Sequence, residues 1–305
     1  MKTLDVGIYS AGGGSRTLIQ SGQILKRDDR LFDVEQAREH PTVFTTFLAR
    51  VNRDPKQTPQ KEDTQVWSKS VIGLSLHLNR IIENARILGV DRTVLQALTQ
   101  EQIRKYLSVE LEHFLSHTEV SATKTKIRVR LLMSNHGLEI FLDEYQNNWE
   151  DLCGVSAVAA SVTRPTPALK TVPSHESCNA RKAAISLGVD EAILVDSEGI
   201  VREGAWTNIF WVDDRGRLFT TKHKVLPGIM RALIVGHFAV NLEDWTLTQI
   251  KQSAREIFLT QSTSGITPVL QFDGWRSGQE SHQTNLDSVT EKIRSWYNGL
   301  IGELI

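Results

Sequence analysis

A carboxylate, Glu203, sits between two apolar strand-like runs of this 305-residue chain, and no other feature constrains the fold as much. The stretch runs Asp196-Ser-Glu-Gly-Ile-Val-Arg-Glu-Gly-Ala-Trp206 and continues through Thr207 and Asn208 into Ile209-Phe-Trp211. Val201 on one side and Ile209 to Val212 on the other predict strands that enter a core. An acid between them is carried towards the interior, where a charge needs a partner. The ordinary reading of Glu203-Gly204 is a solvated acid in a turn. The other is a carboxylate facing a ligand.

The pattern around this stretch alternates strands and helices. A strand is expected at Val155 to Val162, a helix at about Glu176 to Leu187, and strands at Glu191 to Val195, Asn208 to Val212 and Leu218 to Thr220. A helix follows near Gly228 and a strand at Glu256 to Thr260. That half reads as α/β. The first half reads as α+β. Val43 to Val51 is rich in Thr, Phe and Val and predicts a strand. From Val66 to Leu88 apolar residues recur at helical spacing, at Val71, Leu74, Leu78, Ile81, Ile82, Ala85 and Leu88. A second helix starts at Thr99 with Gln102, a capping-box pattern, and runs to about Leu115. Lys126 to Met133 and Leu138 to Tyr145 predict two strands around the turn Ser134-Asn-His-Gly137.

Gln146 to Asp151 is a polar break and marks the expected boundary. It divides a small N-terminal α+β domain, residues 1–147, from a larger C-terminal domain, residues 152–305. Asn52 to Asp63 holds two prolines and predicts an exposed loop. Ser10-Ala-Gly-Gly-Gly-Ser15 lacks the Lys-Ser/Thr of a phosphate loop and reads as a flexible turn.

Charge narrows the function classes. Lys+Arg is 35 and Asp+Glu 36, so the net charge of −1 gives no basis for nucleic-acid or anionic-membrane binding. The apolar runs are too short to span a bilayer. Met1 to Val6 lacks the apolar core of a signal peptide. The two cysteines, Cys153 and Cys178, are far apart and have no metal-site spacing, which fits a reduced cytoplasmic compartment and no bound metal.

Lys170 follows Arg164-Pro-Thr-Pro-Ala, at the end of an extended segment and before a helix. Taken alone, such a lysine is a surface charge. Its surroundings alter the reading. After it come Asn179-Ala-Arg-Lys-Ala-Ala184 and Gly188-Val-Asp-Glu-Ala-Ile-Leu194, and Glu203 lies 33 positions on. Gly228-Ile229-Met230-Arg231 opens an apolar helix, whose N-terminus presents free N–H groups to an anion. Ser262-Thr263-Ser264 precedes Gly265-Ile-Thr-Pro-Val269. Upstream stand His77-Leu-Asn-Arg80 and Phe44-Thr45-Thr46.

In this order the segments resemble the class IV, or fold type IV, family of pyridoxal-phosphate enzymes. It includes branched-chain and D-amino-acid aminotransferases and 4-amino-4-deoxychorismate lyase. The resemblance implies a D-amino-acid aminotransferase-like fold, two domains with pyridoxal 5'-phosphate in the cleft between them, a homodimer, and a small amino acid or keto acid as substrate. It implies that Lys170 is the Schiff-base lysine and proton-transfer base, and that Glu203 holds the pyridine nitrogen. A carboxylate there favours the protonated, electron-withdrawing ring. It assigns Arg80, Ile229, Met230, Ser262 and Thr263 to the phosphate, with Thr207 and Asn208 beside the cofactor. Thr45 is the candidate for the threonine that assists proton transfer in the lyase branch.

The chain also departs from the family pattern. Met230 replaces a frequent threonine, and Pro173 a frequent asparagine. His175 stands where branched-chain members have a tyrosine that contacts the cofactor's 3′-oxygen. A histidine could make that contact or shuttle a proton, or it could be a polar residue at a helix start. Trp206 replaces a small hydroxyl residue and would narrow the pocket. His40-Pro-Thr-Val-Phe-Thr-Thr46 replaces the Gly-Asp-Gly run of the aminotransferases. Arg128 and Arg130 alternate with Val129, so one sheet face could offer an arginine to a substrate carboxylate, or both could face solvent. Three functions are therefore open: transamination, pyruvate elimination to 4-aminobenzoate, and a catalytically altered member that acts by binding.

Overall fold

The computed structural model describes residues 14–20, 23–28, 42–52, 70–117, 124–145, 153–277 and 288–302. Of the turn expected at residues 10–15, Gly14 and Ser15 instead begin a strand paired in a sheet; its residues 10–13, the loop at 53–63 and the polar break at 146–151 lie outside the described residues. Among the described residues the chain forms two compact units. One takes in those of Gly7–Gln146 with Leu169–Pro173, the other those of Asn147–Ala168 and Ser174–Gly299. The segment carrying Lys170 is thus grouped apart from its sequence neighbours, because its backbone pairs with a strand of the first unit.

The first unit comprises β1 (Gly14–Gln20), β2 (Gln23–Asp28), β3 (Thr42–Asn52), α1 (Leu74–Leu88), α2 (Arg92–Ala97), α3 (Gln100–His117), β4 (Lys124–Ser134) and β5 (Gly137–Glu144). After β6 (Val155–Ser161), which belongs to the second unit, β7 (Thr171–Val172) returns to complete the sheet. Its order is β2-β1-β5-β4-β3-β7, with antiparallel neighbours. Strand alternation sorts the side chains. Val43, Phe47, Ile127, Val129, Leu131 and Met133 face the helices and pack with Leu74, Leu78, Ile81 and Ala85 of α1 and Ile103, Leu107 and Phe114 of α3. The opposite face carries Phe44, Leu132, Phe141 and Val172, which form a separate small cluster.

Helix α1 starts at Leu74, later than the apolar spacing predicts. Gly73 adopts a left-handed conformation (φ 66°) and breaks the helical path at that point. Gly89 (φ 80°) ends it, its N–H returning to the Ala85 and Arg86 carbonyls. The cap expected on α3 is present, since the Gln102 N–H donates to Thr99 Oγ1 at 3.3 Å.

In the second unit β6 is followed by α4 (His175–Ser186), β8 (Glu191–Val195), β9 (Val201–Gly204), β10 (Asn208–Asp213) and β11 (Leu218–Thr220). Then come α5 (Ile229–His237), β12 (Val240–Leu242), α6 (Leu247–Ser253), β13 (Ala254–Gln261), β14 (Gly265–Phe272), β15 (Trp275–Arg276) and α7 (Val289–Gly302). The sheet order is β12-β11-β10-β13-β14-β6-β8-β9, with β15 paired to β14. The β14–β6, β6–β8 and β11–β12 pairs are parallel. Every residue of β10 is buried, as its unbroken apolar run predicts. On one face Trp211, Phe219, Ile257 and Phe272 build the main core. On another, Ala180 and Ala184 of α4 meet Ala192, Leu194 and Ala205, small residues that bring the helix close to the sheet. No described helix is long and apolar enough to cross a membrane.

The β4–β5 hairpin depends on Gly137. It has φ 112°, and a Cβ there would lie 2.1 Å from the Ile19 carbonyl oxygen on β1. Gly137→Ala should therefore destabilise the protein by about 1–3 kcal/mol. Urea unfolding should show a lower midpoint with an unchanged slope.

Candidate active site

In the first unit, backbone pairing places Lys170. Thr171 and Val172 pair with Val43 and Thr42, and the Phe44 N–H donates to the Lys170 carbonyl at 2.9 Å. The half-buried Lys170 side chain then lies over the Phe44 ring, with Nζ 4.5 Å from its centroid. The Arg130 guanidinium also lies over that ring, at 5.8 Å.

Thr45 and Thr46 point to opposite sides of β3. Thr45 is on the helix side, with its Oγ1 2.7 Å from His77 Nδ1 and accepting from Arg80 at 2.8 Å. Thr46 shares the face of Phe44 and is paired across the ladder with Arg130. Its hydroxyl is buried and has no hydrogen-bond partner among the described residues. Of the two threonines, Thr46 is therefore the one on the lysine side, and Thr45 is packed inward.

Arg80 is held without an acid. Among the described residues it makes no ion pair, and its Nε is buried and unpartnered. Burial lowers its guanidinium from the usual range to about 10, so it stays charged at neutral pH. His77, completely buried, is held well below the ordinary histidine range. Desolvation is the main cause, followed by the charges of Arg80 and Lys170. Two cations thus act on one neutral imidazole, an arrangement suited to an anion.

The second unit builds Glu203 into β9, paired with Leu194 of β8. Its carboxylate is buried. Oε1 accepts from Arg164 at 2.6 Å, and Oε2 accepts from the Leu226 N–H at 2.9 Å. Asn208 Nδ2 lies at 3.5 Å from Oε2 and donates to the Leu226 carbonyl at 3.0 Å. The glycine after Glu203 is a steric necessity, because a Cβ on Gly204 would lie 1.9 Å from Thr207 Oγ1. The Gly204 N–H closes the turn on the Thr207 carbonyl at 2.8 Å.

Thr207 Oγ1 points to Glu191 Oε2 at 3.4 Å, and Glu191 pairs with Arg181 at 3.0 Å. Arg181 stacks on the Trp206 ring at 4.5 Å, so Trp206 has a cation behind it and packs on the α4 side. Ile229 and Met230 are buried in the first turn of α5, after Gly228. The first N–H groups of such a helix have no intrahelical acceptor. Thr263 and Ser264 are buried in the turn between β13 and β14, and Ser262 is half-buried. His175 is exposed at the first residue of α4, and no hydrogen bond is made by its ring among the described residues. Arg128 is engaged by Asp143 through two bonds of 3.0 and 2.6 Å, rather than facing solvent alone. Sequence reasoning missed Arg164 as the partner of Glu203. Only its place in a proline-flanked segment ahead of Lys170 hinted at a fixed position.

The chain belongs to the amino-transferase class IV family, whose model matches residues 62–272. It is an enzyme of the aminotransferase type. It is 25% identical over 249 residues to a probable branched-chain-amino-acid aminotransferase of Aquifex aeolicus, covering 75% of this chain and 77% of the relative. A T.th. branched-chain amino acid aminotransferase, complexed with N-(5'-phosphopyridoxyl)-L-glutamate, superposes with a TM-score of 0.68 at 20% identity, over 96% of this chain and 95% of the other. A putative 4-amino-4-deoxychorismate lyase of Legionella pneumophila gives 0.63 at 20% identity, over 85% and 91%. The fold is therefore fold type IV, as the sequence led us to expect.

One ion network supports the chain leading to α5. Arg202 makes two bonds to Asp196 Oδ2, at 2.8 and 2.6 Å, and reaches Asp244 at 3.1 Å. Asp244 also accepts from the Lys222 and His223 N–H groups and from the His223 ring. Burial alone would raise its carboxyl, but the hydrogen bonds from His223 and Arg202 outweigh this and hold it at about 2. The stabilisation is present above the unfolded value of about 3.8 and is lost as pH falls towards 2. Asp244→Asn should lower stability at pH 7, and the difference from wild type should vanish near pH 2 when unfolding is followed across pH.

Proposed function

We propose that the protein is a pyridoxal-phosphate-dependent aminotransferase that moves an amino group between an amino acid and a 2-keto acid through Lys170. The observation that carries the reading is Arg80, a buried guanidinium without an acidic partner among the described residues, in the same unit as the lysine anchored beside Phe44. The group present in the complexed relative, a phosphopyridoxyl amino acid, has the chemistry these residues call for. In the first unit Arg80 is the candidate for its phosphate. In the second the candidates are the N–H groups of Ile229 and Met230, with the Ser262 and Thr263 hydroxyls. Glu203, fixed by Arg164 and the Leu226 N–H, would take the ring nitrogen, with Thr207 and Asn208 supporting the turn.

When bound, pyridoxal phosphate supplies an aldehyde for the lysine and an electron sink for the substrate. Lys170 Nζ would take the proton from the substrate α-carbon and return it, as general base and then acid. Thr46, on the lysine's face, is better placed than Thr45 to donate a hydroxyl near that proton. Trp206, stacked on Arg181, would narrow the substrate pocket and favour a compact substrate. The assembly that goes with this reading is a two-fold homodimer, which light scattering at micromolar concentration would reveal.

Borohydride reduction in the presence of pyridoxal phosphate should fix the cofactor to the peptide carrying Lys170. Lys170→Ala should lower turnover by about 10²–10⁴-fold or more. Glu203→Gln should keep the fold but slow turnover, since an amide no longer favours the ring proton. A label on another lysine would end this assignment. A second reading is favoured by the unpartnered Thr46 hydroxyl and by Gly228-Ile-Met-Arg231, namely elimination of pyruvate from 4-amino-4-deoxychorismate. Catalytic pyruvate release without an amino acceptor would select it over transamination.

A further inference from the structure

His77 has no part in the reading above, yet it is completely buried beside Arg80 and Thr45. Its protonation can be read from hydrogen-bond accounting. Thr45 has no exposed surface, accepts from Arg80 and meets His77 Nδ1. Suppose His77 carried its proton on Nδ1. The Thr45 oxygen would then accept twice, its own proton would have no acceptor, and His77 Nε2 would be a second orphan. With Nδ1 bare, Thr45 donates to it and only the Nε2–H is unpartnered, close to the tilted Phe47 ring at 5.0 Å between centroids. Buried orphans are costly, so the second arrangement wins.

We propose that His77 is a positioning residue: a neutral imidazole, protonated on Nε2, that accepts the Thr45 proton and turns the Thr45 oxygen towards Arg80. The guanidinium is then oriented without being neutralised. The contrast lies within the same protein. Arg164, Arg181 and Arg202 are each fixed by a carboxylate, Glu203, Glu191 and Asp196 respectively. Arg80 is fixed by a hydroxyl and keeps its full charge for an incoming anion. Burial is the first reason His77 stays neutral, and the groups facing it add to this. Arg80 on α1 and Lys170 ahead of β7 are both cationic, and β3 contributes the uncharged Thr45 and Phe47. The inference rests on the reading that Arg80 holds the cofactor phosphate.

Two measurements test it separately. In the wild-type apoprotein with ¹⁵N-labelled histidine, the His77 signals, assigned with His77→Asn, should show the neutral Nε2–H form from about pH 5 to 8. An Nδ1–H form, or titration near the usual 6.5, would overturn the proposal. The second is the ratio of affinities for pyridoxal phosphate and pyridoxal, which isolates the phosphate contribution. Thr45→Val and His77→Phe should each cut that ratio about tenfold, the size of one charge-assisted hydrogen bond. The double variant should be no worse than either. His77→Asn, whose amide oxygen takes the place of Nδ1, should keep the ratio within about threefold of wild type. His77→Gln, whose amide falls at Nε2, should not. Equal damage by Asn and Phe, or additive losses in the double variant, would refute the relay. Arg80→Ala serves as the control on the parent reading: if it leaves the ratio unchanged, the phosphate assignment falls, while the tautomer result still decides the His77 proton.

Discussion

The hydrogen bond from the Phe44 N–H to the Lys170 carbonyl, with the short β3–β7 ladder beside it, fixes where Lys170 stands in the first unit. A lysine has a long side chain with many rotamers, and ordering it costs entropy. Pinning its backbone to a strand leaves those rotamers free but fixes where the side chain starts before any ligand arrives. The Phe44 ring then gives the ammonium a resting surface. The strand that receives Lys170 also carries the threonine that holds Arg80, so one strand aligns amine and guanidinium together.

Glu203 is positioned by a different means. A buried carboxylate is unfavourable unless it is paired and hydrogen-bonded. Here an arginine and a backbone N–H hold its two oxygens apart and fix the plane of the carboxylate. The turn that follows tolerates no side chain at Gly204. The acid is therefore both paired and held in one orientation. The Arg181–Glu191 pair, stacked under Trp206, stiffens the turn from the other side.

The elements that build the sheets were largely legible. Strands β4, β5, β8 and β10 follow from alternation or from unbroken apolar runs, and α3 from its Thr99 cap. Apolar spacing alone starts helix α1 too early, because it continues through Val71 while Gly73 turns the backbone. The two-residue strand β7 is too short to leave a periodic signal. Its membership of the first unit is a long-range pairing that no local pattern encodes. The same limit applies to the site. Lys170, Glu203 and Arg80 are candidates through their order along the chain. The Arg164–Glu203 and Thr45–His77 contacts join residues 39 and 32 positions apart and depend on the fold. The choice between Thr45 and Thr46 depends on which sheet face is covered by helices, a fact that strand alternation alone leaves undecided.

Those adjacent threonines give strand register a chemical meaning. They are the same residue type, one peptide apart, yet one belongs to the buried scaffold and the other to the lysine's face. Sliding β3 by a single residue would exchange them, and it would also exchange Phe44 with its core-facing neighbours. A slipped sheet would contain the same residues in the same order and still turn the other threonine towards the lysine. Errors in pairing would then be invisible to composition or secondary-structure content, and visible only in which hydroxyl stands beside the amine.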